Sequence, residues 1–422
     1  MQKETIAVHG GYNNKEGWGT MNIPIAQTTA YAFRDAEHAA NLFALKELGS
    51  IYTRLTNPTT DILEQRFAQL EGGAAALCVA SGQAAIFYSI ANVAGAGDNI
   101  LISDKLYGGA VALLTHSLKR FGIKAKIFKS EDASDLEEQL DDKTKAIFFE
   151  SLSNPQIAIA DVEKITQIGK KHGILTICDN TVPSAWLFNP IKWGVDVVIH
   201  STSKYTNGQG SAIGGIIVER DGLADFFKQN SQRYPHFNEP DESYNGLIYT
   251  QVPLPNFTLR ARVSLLRDYG ATQSPYNSWL LLQTLETLDI RMEKHSKSAL
   301  EVAKFLESHP DVKSVNYPGL ESNKYHEKAL KYFKDGQASG LISFEVESYD
   351  KAKQIIDSAK LFSVVVNIGD SKSLIVHPAS TTHSQMNEEE LNKAGINPTT
   401  VRLSIGLENP VDLIEDLKQA LK

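Results

Sequence analysis

Residues 179–215, DNTVPSAWLFNPIKWGVDVVIHSTSKYTNGQGSAIGG, hold a carboxylate, a hydroxyl cluster and a lysine in a chemically suggestive order. Asp179 ends the apolar run Ile174, Leu175, Thr176, Ile177, Cys178. Lys204 follows the next apolar run, 195–199, after the turn Ser201, Thr202, Ser203. Two buried strands joined by a crossover would put both side chains at the carboxyl edge of an open α/β sheet, where such sheets bind ligands. The trio suits a phosphorylated aromatic aldehyde. The lysine would form an imine, the carboxylate would hold a ring nitrogen, and the hydroxyls would bind phosphate. Each residue alone has an ordinary explanation: a lysine after a strand is usually a solvated charge, and an aspartate there usually caps a helix. The remaining strand ends must supply the rest of such a site.

They offer several parts. Ser81, Gly82 and Gln83 lie between a strand and a helix start, where Gly82 lets backbone approach an anion and the first free amides bind it. Ser81 is equally a plain N-cap. Tyr107, on the glycine-rich turn Tyr107, Gly108, Gly109, could stack on a flat ligand or simply pack. Asn154 could bond a ring hydroxyl or start a turn before Pro155. Arg402 sits in the apolar run 401–405, where a guanidinium needs a carboxylate, internal or the substrate's. The segment 377–383, HPASTTH, has two histidines without a Cys or acidic ligand nearby, so it reads as a lining loop and not as zinc ligands. No metal is expected. Neither Gly95–Gly97 nor Gly208–Gly210 extends to a dinucleotide fingerprint, and no Walker A loop occurs.

The elements that must position these residues follow from periodicity. Short apolar runs at 77–79, 99–103, 125–128, 146–149, 174–178, 195–199 and 215–218 alternate with helical patterns such as 61–70, 110–121 and 162–172. That alternation predicts an α/β fold with a mainly parallel seven-stranded sheet covered by helices on both faces. The long helical stretch 277–306 leads into a smaller α+β region. It has strands at 340–346, 373–376 and 401–405, and helices at 351–359, 388–394 and 410–421. Three parts are expected: an arm over 1–60, a large α/β domain over 61–275, and a linker helix with the C-terminal domain over 276–422. Residues 222–258, and especially the aromatic stretch 230–258, are too long and too aromatic for a connection, so they form an ordered insertion or an interface. Net charge is −8 with mixed signs over 422 residues, against nucleic acid or an anionic membrane as partner. The two cysteines, Cys78 and Cys178, lie in separate apolar runs, and no apolar run reaches membrane-spanning length, so a cytoplasmic protein is expected.

Taken together, YTRLTNPT (52–59), SGQAA (81–85), DNT (179–181), HSTSKY (200–205), HPASTTH and VRLSIGLE (401–408) resemble the Cys/Met-metabolism family of pyridoxal-phosphate enzymes, the cystathionine γ-synthase-like group of fold type I. The resemblance runs from Gly10 to the C-terminus. It implies pyridoxal 5′-phosphate as cofactor, Lys204 as its Schiff-base lysine and proton shuttle, and Asp179 on the pyridine nitrogen. It also implies Tyr107 stacked on the ring and Asn154 near the ring hydroxyl. Ser81, Gly82, Gln83, Thr181, Ser201 and Ser203 would complete the cofactor contacts, with Tyr52 and Arg54 arriving from an adjacent subunit. Arg402 and Asn367 would take the substrate carboxylate, Tyr52 also touching substrate. Within the family the similarity is greatest to the sulfhydrylases, which implies γ-replacement on O-acetyl-L-homoserine, with sulfide or a small thiol, to give L-homocysteine and acetate. A homo-oligomer, a dimer of dimers, goes with it. The competing reading is a γ-lyase or γ-synthase of the same family. Gly109 stands where methionine γ-lyases carry cysteine and Asn367 where lyases tend to carry serine, both against the lyase. Ala110, Val111 and Ala112 replace a Thr-Tyr-Asn run frequent in the subgroup.

Overall fold

The computed structural model describes residues 1–15, 19–381 and 396–422. The larger sheet consists of β1 (Ala75–Val79), β2 (Asn99–Ser103), β3 (Lys124–Phe128), β4 (Thr144–Glu150), β5 (Leu175–Asp179), β6 (Val197–His200) and β7 (Gly215–Glu219), in the order β1-β7-β6-β5-β4-β2-β3. All contacts from β3 to β6 are parallel, and β7 is antiparallel to both of its neighbours. Six strands therefore share one direction, and their carboxyl ends lie along one edge.

The strands are apolar on both faces because helices cover both faces. Cys78, Ile147, Phe149, Cys178 and Val198 point into one core layer. Leu77, Ile102, Phe148, Ile177 and Ile199 point into the other. Local signals set the helix ends. In Pro58–Glu71 the Asn57 side chain accepts from Thr59 N and Thr60 N, Pro58 occupies the first turn, and Gly72 closes the helix in the left-handed region at φ 80°. Val162–His172 is capped by Asp161 and ended by Gly173, with the bounds that its periodicity predicts.

The second sheet has β8 (Ser314–Asn316), β9 (Leu341–Glu345), β10 (Ser363–Val364), β11 (Leu374–Val376) and β12 (Thr400–Ser404), ordered β10-β11-β12-β9-β8. It packs its own core with Leu288–Glu307, Tyr349–Ser358 and Pro410–Leu421. The expected helix over 277–306 is two helices, Pro275–Leu285 and Leu288–Glu307. Strands β8 and β10 are too short and too exposed to leave an apolar pattern. The expected helix over 388–394 lies outside the described residues.

Residues 222–258 form an ordered insertion. Phe237 stacks on Phe227 at 3.8 Å between centroids, and Tyr234, Phe237, Tyr249 and Phe257 are fully buried. The Tyr234 hydroxyl donates to Lys145 O at 2.7 Å and accepts from Leu175 N at 2.9 Å, joining the amino ends of β4 and β5. Within residues 1–60, Lys3–His9 docks on the body of the chain through Ala7 and through Lys3 Nζ, which donates to Ala185 O at 2.6 Å. Further along, Met21, Phe43 and Leu48 remain exposed.

Candidate active site

A cavity of about 200 Å³ opens at the carboxyl edge of the large sheet. Its lining comes from the loops after β1, β2, β4, β5 and β6, and from the second sheet. Of the residues expected in one site, Ser81, Gly82, Gln83, Tyr107, Asn154, Asp179, Thr181, Ser201, Ser203, Lys204, Asn367 and Arg402 all line it. Tyr52 and Arg54 do not. Arg54 donates to the carbonyl of Arg267 and lies over the Tyr52 ring at 5.5 Å. The loop after β11 is not part of the lining either, in its described portion 377–381. His377 instead bonds Ser380 Oγ at 2.8 Å and Pro398 O at 2.7 Å, fastening its own turn, and His383 lies outside the described residues.

One end of the cavity is acidic. Asp179 ends β5, and its Oδ1 accepts from Thr181 N at 2.9 Å and from Thr181 Oγ1 at 2.5 Å. Among the described residues Oδ2 takes no bond. The Thr181 hydroxyl in turn accepts from Ser201 N at 2.8 Å, so one side chain joins the ends of β5 and β6. Burial raises the Asp179 pKa, and the Thr181 bonds and His200 oppose that rise. Glu150 stands directly beside it in register on β4. Its Oε1 accepts from Tyr107 N at 2.6 Å and its Oε2 from Asn154 N at 3.2 Å, so it fixes two loops of the site. Burial, then the Asp179 charge, pushes its pKa well up. Sequence reasoning missed Glu150. The available signal was an acidic residue closing the run 146–149, just as Asp179 closes 174–178.

Another part is basic. Lys204 Nζ donates to Asn367 Oδ1 at 2.6 Å. Burial, then the Arg402 charge, lowers the Lys204 pKa. Arg402 is 2% exposed, and its Nη1 and Nη2 donate to Asn154 Oδ1 at 3.0 Å and Asn367 O at 2.8 Å. Its Nε has no partner, no carboxylate reaches the guanidinium among the described residues, and burial lowers its pKa to about 10. A cation kept this way lacks a counter-ion that a ligand can supply.

The third part is an anion cradle. Ser81 caps the helix Gly82–Ala91 by accepting from Ala84 N at 3.1 Å. A Cβ on Gly82 would stand 2.6 Å from Ser201 Cβ, so only glycine allows this helix start to meet the turn after β6. The Ser201 hydroxyl carries no bond to described residues, while Ser203 Oγ donates to Gly214 O at 3.2 Å. Gly82→Ala is expected to cost about 1–3 kcal/mol by overpacking, read as a lower unfolding midpoint.

Comparison with known proteins decides what the cavity belongs to. The family model described as Cys/Met metabolism PLP-dependent enzyme matches residues 4–422. The chain belongs to that family. Among curated members it is 45% identical to an O-acetyl-L-homoserine sulfhydrylase of Leptospira meyeri over 99% of this chain and 96% of that one. It is 41% identical to a homocysteine synthase of Schizosaccharomyces pombe over 99% and 98%. A solved structure from Campylobacter jejuni, assigned as an O-acetylhomoserine (thiol)-lyase with pyridoxyl-lysine-5′-monophosphate in its chain, covers 100% of both chains with TM-score 0.98 and 56% identity. Family membership makes this a pyridoxal-phosphate-dependent enzyme of fold type I. The cavity fits that cofactor on its own terms. It offers an open carboxylate oxygen for a ring nitrogen, a buried amine for an aldehyde, and a glycine cradle at a helix N-terminus for phosphate.

Proposed function

We propose that the enzyme transfers the aminocarboxypropyl group of O-acetyl-L-homoserine to sulfide or a small thiol, giving L-homocysteine and acetate for methionine and cysteine biosynthesis. The observation that carries this reading is Arg402, a buried guanidinium without a carboxylate partner among the described residues, sharing Asn367 with the Lys204 amine. That pairing suits an α-amino acid, and relatives at 40–45% identity named for this reaction point to the ester.

In this reading the cofactor phosphate lies on Ser81, Gly82, Gln83, Ser201 and Ser203, Asp179 Oδ2 takes the ring nitrogen with Thr181 holding Oδ1, and Tyr107 stacks on the ring near Asn154. The bound pyridine supplies the electron sink that no side chain here provides. Lys204 does the proton work. Its lowered pKa raises the fraction of neutral amine able to accept the proton at Cα. The same Nζ then serves Cβ, so that acetate can leave Cγ and sulfur can enter there. Arg402 and Asn367 hold the substrate carboxylate throughout.

Tyr52 and Arg54 complete a neighbouring copy's phosphate and substrate contacts, within the arm 1–60 preceding domains 61–275 and 276–422. Their position outside this chain's own cavity and the exposed apolar residues of the arm support that assignment. The reading includes a dimer of dimers in the cytoplasm, as the family resemblance implies; no helix of the described residues is long and apolar enough to cross a membrane.

The deciding assay supplies O-acetyl-L-homoserine with sulfide and, separately, L-methionine. Homocysteine from the first is expected. Strong oxo-acid release from methionine with no homocysteine would establish the lyase instead. Thr181→Val tests the acidic end. Removing the hydroxyl removes a bond to the ionised Asp179, which then keeps its proton to higher pH beside Glu150. The acid limb of kcat/KM is expected to move upward, and Thr181→Ser to restore it.

A further inference from the structure

Tyr205 follows the reacting lysine in the chain, yet its side chain leaves the cavity and enters the second sheet. It is fully buried. Its hydroxyl accepts from Gly340 N at 3.2 Å, at the start of β9, and meets the hydroxyls of Ser339 and Ser404. Ser404 lies two residues after Arg402 on β12, and its Oγ accepts from Gly369 N at 2.9 Å. Gly369 belongs to the same turn as Asn367, whose Oδ1 holds Lys204 Nζ. These contacts close a ring from Lys204 through Asn367, Gly369, Ser404 and the Tyr205 hydroxyl back to the residue after Lys204.

Two further observations show that the ring is tight. Gly369 has φ 71°, and a Cβ there would stand 2.6 Å from Tyr205 N and 2.8 Å from its Cγ, so the turn lies flush on the tyrosine. Behind it, Arg291 donates to Tyr205 O at 2.6 Å and Thr206 O at 3.1 Å. The edge of His295, fixed to Ile405 O at 2.7 Å, meets the Tyr205 ring at 5.2 Å. Nothing else in the proposed mechanism uses this buried phenol.

We infer that Tyr205 is a positioning residue that ties the Lys204 amine to the strand carrying Arg402, holding amine and guanidinium in register for one amino-acid substrate. The inference rests on the assignment of Lys204 and Arg402 to substrate given above. It differs from a packing role because the path runs through Asn367. Loss of the phenol hydroxyl frees the Gly369 turn and lets the Asn367 amide drift from both cations. A packing role has no such route.

The test uses the holoenzyme with L-norvaline, an amino acid without a leaving group, titrated through the visible absorbance of the cofactor. Tyr205→Phe keeps the ring and removes the hydroxyl, and is expected to raise the norvaline Kd about tenfold, the worth of one buried hydrogen bond. Ser404→Ala cuts the same ring from the other side and should match it. In an Asn367→Ala background the Tyr205→Phe effect should shrink to within about twofold, the scatter expected for uncoupled sites. An unchanged Kd in both Tyr205→Phe and Ser404→Ala, or an equal effect in the two backgrounds, overturns the inference. Turnover of O-acetyl-L-homoserine by the wild type is read alongside. Its absence with the coupling intact would reject the proposed reaction alone.

Discussion

Replacing Lys204 by alanine is expected to abolish turnover while leaving the cofactor in place. Among the described residues the amine is the one neutralisable base at the basic part of the cavity, with a pKa lowered first by burial and then by Arg402. A positioned base of this kind is worth about 10²–10⁴ in rate, and Lys204 is assigned proton transfer at more than one carbon, so the loss should lie at or beyond the upper end. Cofactor retention should be much less affected. The cradle at Gly82 and Ser201, the Asp179 carboxylate and the Tyr107 ring all remain. Truncation removes the covalent imine, and on the protein side it strands Asn367 Oδ1, a cost of about 1 kcal/mol. Cofactor content after dialysis and initial rates of homocysteine formation check both halves. A rate near that of the wild type would remove Lys204 from its assigned role.

Arg402→Met should separate activity from stability. The guanidinium is buried with one nitrogen unpaired and, among the described residues, only neutral acceptors on the others, so the ligand-free chain bears a desolvation cost that no counter-ion among them offsets. A methionine of similar length fills the space without that cost, and the unfolding midpoint is expected to hold or rise. In the proposed reading the substrate carboxylate, in contrast, loses its charged partner. Breaking such a pair costs about 2–5 kcal/mol, which raises KM for the amino acid by roughly 30-fold to several-thousandfold. The KM for sulfide should stay near its original value. A large fall in midpoint with KM unchanged would instead make Arg402 a structural cation held by Asn154 and Asn367.

The parts of this molecule legible in the sequence are those fixed by local pattern. β2 and the helices Val162–His172 and Pro410–Leu421 have the bounds their periodicity predicts, because apolar runs and capping residues are local signals. The site residues were legible for a related reason. In a sheet whose strands share a direction, a polar residue at the end of an apolar run is delivered to a common edge. Asp179, Asn154 and Lys204 all follow that rule. Glu150 follows it as well, but a carboxylate one strand away from another carboxylate reads as surface charge until burial is known. The Tyr205 contacts had no local signature, since its partners lie 86 residues or more away in the chain. The loop 377–381 was misplaced because two histidines beside hydroxyls look like site chemistry. The described one, His377, spends its hydrogen bonds on Ser380 and Pro398. The break near Glu286 and Thr287 was hidden because both residues fit a helical pattern.

Asn367 bonds both cations of the cavity, taking Lys204 through its side chain and Arg402 through its carbonyl. In the proposed reading Arg402 takes the carboxylate, Lys204 faces the α-hydrogen and the cofactor holds the α-amino group, and those three attachments admit only one sense of arrangement around Cα. The mirror-image substrate could present its carboxylate to Arg402 or its α-hydrogen to Lys204, and one choice excludes the other. Asn367, bonded to both cations, fixes the spacing of two of those three attachments.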